Sequence, residues 1–148
     1  MSDIEDLKWY VVEQSAFVKC GKKEFENDVL KFKETIIDCF NESKIDVVLL
    51  SSVIQYIESP YSIIKDILAT NPEFILIDRT PFINEEDDLI KNQHIPLSKG
   101  GGAYPSWFLS KDKFLTELKK SGYDCFIEFD CIEDFGVGDF KGMMFRKC

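Results

Sequence analysis

Three short polar clusters stand where apolar runs end: Glu13-Gln14, Ser51-Ser52 and Asp78-Arg79. In nucleotide-binding α/β sheets, ligands gather across the carboxyl ends of the strands, so residues in these positions are candidates for chemistry. Glu13 could accept hydrogen bonds from both hydroxyls of a ribose. Its rival reading is an ordinary exposed strand end. Ser51 and Ser52 are small enough to leave room for a ligand, which Gln55 or Tyr56 would reach from the following turn. Their rival role is a simple strand-to-helix cap. A carboxylate and guanidinium side by side at Asp78-Arg79 could orient a substrate, or pair with each other to brace the chain ahead of Pro81.

Further along, Tyr104-Pro-Ser-Trp107 offers aromatic faces that suit a flat or sugar-like ligand, or that anchor a loop to the core. His94 is the single histidine and has the one side chain whose ordinary pKa suits base work near neutrality. A lone loop histidine is more often incidental. Neither a G-x-S-x-G elbow nor a G-x-x-x-x-G-K-[ST] phosphate loop occurs. Gly100-Gly101-Gly102 follows no strand and reads as a hinge.

The elements that must carry these residues alternate. Strand 8–13 leads to a helical stretch over 16–24, a brief strand at 29–33, a helix at 34–42 and the apolar strand 46–51. Ser59 and Pro60 open a helix whose stripe is Ile63, Ile64, Ile67 and Leu68, and Asn71-Pro72 ends it. Strand 73–78 follows. Strands alternating with helices predict a mostly parallel α/β sheet. Residues 81–108, with an acidic run and several glycines and prolines, read as a long excursion. Ser110 caps a helix to about Ser121, with Leu109 and Phe114 as a hydrophobic staple. Strands near 124–130 and 140–146, flanking Asp134–Asp139, predict a C-terminal antiparallel hairpin.

Length and composition bound the rest. A chain of 148 residues with 45% apolar content predicts one globular domain, residues 1–148. A net charge of −9 argues against a phosphate-tracking surface, so nucleic acid is not an expected partner. No apolar run is long enough for a membrane span, and no secretion signal opens the chain. Five cysteines without C-x-x-C spacing suit free thiols in the cytoplasm, and one histidine gives no metal cluster.

Leu7-Lys-Trp-Tyr-Val-Val-Glu-Gln14, Asp46-Val-Val-Leu-Leu-Ser-Ser-Val-Ile-Gln-Tyr56, Ile77-Asp-Arg-Thr-Pro-Phe82 and Tyr104-Pro-x-Trp107 together resemble a family of S-adenosylmethionine-dependent methyltransferases. That family is met among bacterial surface-polysaccharide genes. The resemblance implies a class I, Rossmann-like fold and S-adenosylmethionine as cofactor. It places Glu13 at the ribose, Glu34 near the adenine and Ser51 and Ser52 beside the methionine end. Asp78, Arg79, His94 and Tyr104 would face the acceptor, a sugar or other small molecule, with Gln55, Tyr56 and Trp107 lining its site.

The family's first strand and Gly-rich loop have no counterpart in the seven residues before Lys8. Two readings follow: a methyltransferase domain, or a non-catalytic Rossmann-like module that associates, for example as a homodimer, through exposed sheet edges.

Overall fold

The computed structural model describes residues 6–95, 97–132 and 138–148, so part of the turn expected within Asp134–Asp139 lies outside the described residues. The chain forms two compact units, Met1–Ile45 and Asp46–Cys148.

In the first unit, β1 (Trp9–Val12) and β2 (Leu30–Lys33) pair in parallel, from Trp9↔Leu30 to Val12↔Lys33. The parallel crossover is α1 (Ser15–Glu24), which buries Val18 and Gly21. A Cβ on Gly21 would stand 2.4 Å from the Phe32 ring, so glycine is what lets α1 approach β2. After β2, Thr35 caps α2 (Ile36–Glu42) by accepting from the Asp38 amide.

The second unit is organised on β4 (Phe74–Ile83). Along one edge it pairs antiparallel with β8 (Asp139–Lys147). Along the other it pairs in parallel, first with β3 (Val47–Ser51) and then, at Phe82 and Ile83, with β6 (Gly102–Ser110). β5 (Leu89–Ile95) pairs antiparallel with β6, and β7 (Tyr123–Asp130) pairs antiparallel with β8 as the outer strand.

The α/β character holds, but the expected mostly parallel sheet is corrected to a mixed one. The cause is the segment 81–108, which extends β4 and then folds back as the β5–β6 hairpin. Glycines 100–102 supply positive φ values of 101°, 68° and 122° leading into β6, whose first residue is Gly102.

Helix α3 (Pro60–Thr70) follows its sequence signals: Pro60 sits at the first turn and Asn71 closes the helix in a left-handed conformation, φ 63°. Its Ile64 and Ile67 are fully buried, as are Ile75 and Ile77 of β4. Helix α4 (Lys111–Lys120) is capped by Ser110, and the staple residues Leu109 and Phe114 are both buried completely. Phe114 lies between Phe82 and Phe145 at centroid separations of 5.3 and 6.1 Å, an aromatic centre that ties α4 to β4 and β8.

Candidate functional site

Asp78 and Arg79 do not end their strand. The β4–β8 register shifts between Ile77 and Thr80, so the two residues form a bulge within a strand that continues to Ile83. A bulge leaves residues out of the ladder and re-aims their side chains, and such irregularities recur beside active sites. Arg79 takes the left-handed conformation, φ 48°, and so does Ser52, φ 53°, just past the end of β3. The β3–β4 register sets Ser51 opposite Asp78, which brings the two irregular points together.

The result is a compact polar cluster. Ser51 Oγ donates to Asp78 Oδ2 at 2.9 Å and accepts from Arg79 Nη2 at 3.1 Å. Arg79 Nε lies 3.6 Å from Asp78 Oδ2. Cys131, after β7, brings its thiol within 3.6 Å of Asp78 Oδ1. The backbone is tied as well: the Asp78 carbonyl accepts from the Ser52 amide at 2.9 Å and from Thr80 Oγ1 at 3.3 Å. Arg79 is exposed and Asp78 half-buried, so the guanidinium can still meet a ligand.

Beyond β3, a short 3-10 helix (Ile54–Tyr56) lies against β6. Gln55 is completely buried, and its Nε2 donates to the Arg79 carbonyl at 3.0 Å and to Ser52 Oγ at 3.3 Å. Tyr56 meets Tyr104 edge-on at 5.3 Å, and its hydroxyl bonds Gln93 Oε1 at 3.3 Å. Trp107 Nε1 donates to the Ile57 carbonyl at 3.0 Å. Hydrogen bonding to Tyr56, followed by burial, raises the Tyr104 pKa above its ordinary value.

The structure thus gathers Ser51, Ser52, Gln55, Asp78 and Arg79 in one contact network and joins Tyr56 to Tyr104 beside it. His94 is exposed on β5 opposite Ala103, and no hydrogen bond or ion pair ties it to the cluster. In the first unit, Glu13 and Glu34 stand one residue beyond the paired ends Val12 and Lys33, at the carboxyl edge of the two-stranded sheet. Glu34 Oε2 accepts from Ser15 Oγ at 2.6 Å, and Glu13 Oε2 accepts from the Gln14 amide at 3.1 Å.

Sequence reasoning passed over Gln93, Ser106 and Cys131. Gln93 and Ser106 are buried, and among the described residues Gln93 Nε2, Ser106 Oγ and Gln55 Oε1 have no hydrogen-bond partner. The signal for Gln93 is weak, because it is the one buried residue in an otherwise solvated strand. Among the described residues no group of three His, Cys, Asp or Glu side chains could hold a metal, and no helix is long and apolar enough to cross a membrane.

No family model matches the chain, and no curated protein matches it in sequence. Solved structures do. The glycopeptide N-methyltransferase MtfA superposes with a TM-score of 0.64 at 15% identity, over 97% of this chain and 74% of its own. MtfA has been solved with S-adenosyl-L-methionine and with S-adenosyl-L-homocysteine. A SAM-dependent methyltransferase from Methanosarcina mazei gives a TM-score of 0.57 at 9% identity, over 90% of this chain and 78% of its own. The mitomycin 7-O-methyltransferase MmcR gives 0.55 at 16% identity, over 96% of this chain but 42% of its own. At these identities the likeness is one of fold: an α/β fold shared with these methyltransferases.

Proposed function

We propose that the chain is an S-adenosylmethionine-dependent methyltransferase domain acting on a small-molecule acceptor. The observation that carries this reading is the superposition of nearly the whole chain on MtfA. The bulged Asp78–Arg79 pair beside Ser51 supports it, because it concentrates a carboxylate, a guanidinium and a hydroxyl at the carboxyl end of β3, and ligands of such folds gather at carboxyl strand ends.

The resemblance assigns parts of the cofactor unit by unit: in the first unit Glu13 would serve the ribose hydroxyls and Glu34 the adenine, and in the second Ser51 and Ser52 would serve the methionine end. The cofactor would supply a sulfonium-bound methyl, whose bond to sulfur breaks as the acceptor's oxygen or nitrogen takes the methyl. Asp78 would receive the acceptor's proton, with His94 as the other base candidate, and Arg79 would hold the acceptor by paired hydrogen bonds. Tyr56, Tyr104 and Trp107 would wall the acceptor site, with Gln55 at its base. The aromatic wall and the uncharged polar neighbours favour a sugar hydroxyl or amine, in keeping with the resemblance to surface-polysaccharide enzymes of bacteria. The free thiols favour the cytoplasm.

Calorimetric titration with S-adenosylmethionine and S-adenosylhomocysteine tests the reading. Saturable binding of both is expected, and folded protein that binds neither at millimolar concentration would overturn it. A second reading, an association module, is favoured by one observation. Among the described residues β3 pairs with β4 alone and exposes Val47 and Leu49, and β1 pairs with β2 alone and exposes Trp9 and Val12.

A further inference from the structure

Ser52 and Arg79, the two left-handed residues of the cluster, share one partner. The Gln55 amide nitrogen has two hydrogens, and its two acceptors are Ser52 Oγ and the Arg79 carbonyl. The amide orientation is fixed by chemistry, since a flipped group would set oxygen against the Arg79 carbonyl, which only accepts. Gln55 is wholly buried on the short helix that follows β3, so solvent does not compete for these bonds. Among the described residues its own oxygen has no partner. An apolar replacement therefore loses two donors but also removes a buried unpaired acceptor, so its effect on stability is partly offset.

We infer that Gln55 is a positioning residue: its amide grips the Ser52 hydroxyl and the Arg79 carbonyl, helps keep both residues left-handed, and so sets the Ser51–Asp78–Arg79 side chains for the ligand. The role rests on the methyltransferase reading only in what that ligand is. Left-handed, non-glycine residues persist where surrounding contacts hold them, and here one buried side chain bonds both. Released, Arg79 would relax its φ and swing the guanidinium away from Ser51 Oγ.

The chain has two arginines, Arg79 and Arg146, so the Nε–H signals of a 15N spectrum can be assigned with Arg146→Lys. Gln55→Met and Gln55→Asn, which keeps the amide but shortens its reach, are each expected to move the Arg79 signal toward that of free arginine and to weaken S-adenosylhomocysteine binding about tenfold. Ile64→Val, a core change remote from the amide, is the control and should leave the Arg79 signal in place. An unmoved Arg79 signal in both Gln55 variants overturns the inference, as does an equal movement in Ile64→Val. A moved signal in protein that binds no S-adenosylhomocysteine at all supports the clamp and overturns the cofactor reading instead.

Discussion

Left-handed backbone at Ser52 and Arg79 costs about 1–3 kcal/mol at each residue, and glycine would remove that cost. Ser52→Ala keeps the strain and loses the hydroxyl that accepts from Gln55, whereas Ser52→Gly loses the hydroxyl and the strain together. Ser52→Gly should therefore be more stable than Ser52→Ala by about 1 kcal/mol in denaturant melts, and the reverse order would show that position 52 is not strained. At the neighbouring pair, Arg79→Ala and Asp78→Asn should leave the melting temperature within about 2 °C of the parent, because both groups are part-exposed and screened. Both should abolish most methyl transfer to any acceptor identified. Several degrees of lost stability with normal turnover of the remaining folded protein would make the pair a brace for the strand, the rival role open from the sequence.

Among the elements, the acidic run before β5 contains one residue with a structural task. Asp88 is nearly buried; its Oδ1 accepts from the Ser110 amide at 2.8 Å and from the Tyr61 hydroxyl at 3.0 Å, and its Oδ2 pairs with Lys113 at 2.5 Å. It thereby pins the start of α4 to α3 and β5. Asp88→Ala should cost about 2–3 kcal/mol, read as a lower urea midpoint, since it strands a buried amide and hydroxyl. Burial, then the Asp88 charge, push the Tyr61 hydroxyl well above its ordinary value of 10.0. A raised folded value means stability that is complete below pH 10 and is lost as pH rises, because the unfolded chain releases that proton first. The fall in melting temperature above about pH 10 should be shallower in Tyr61→Phe, and equal slopes would refute the assignment.

How far the elements were legible follows the same local logic. Helix α4 could be read from Ser110, Leu109 and Phe114, and α3 from Pro60 and Asn71, because caps and staples are written within one turn. The β5–β6 hairpin could not. Pro105 and the three glycines read as loop punctuation, yet Pro105 is tolerated because, among the described residues, β5 is the only ladder partner of β6 until Leu109 reaches β4. The bulge at Asp78–Arg79 was hidden for a similar reason, since a register shift belongs to the pairing with β8 and leaves no mark in β4's own sequence.

For the whole molecule, the consequence of the fold is where paired strands stop. β3 carries a continuous apolar run, yet β4 is its only ladder partner among the described residues, and Val47 and Leu49 are 54% and 42% exposed. A strand with this composition and an open edge offers unpaired amides and carbonyls to another chain unless charge blocks it, and β3 itself contains no charged residue. Self-association through this edge is therefore expected, with a homodimer the smallest product. Light scattering at about 100 μM should report a mass above that of the monomer; an affinity in the micromolar range would populate it there. Leu49→Lys adds a charge at an already exposed position, so it should restore the monomer while leaving the melting temperature of dilute protein nearly unchanged. Hydrogen exchange supplies the second readout: the amides of β3 that do not face β4 should exchange more slowly in the parent than in Leu49→Lys. A monomer at that concentration, with the same exchange rates in both proteins, would remove the edge as an association surface and leave the methyltransferase reading alone.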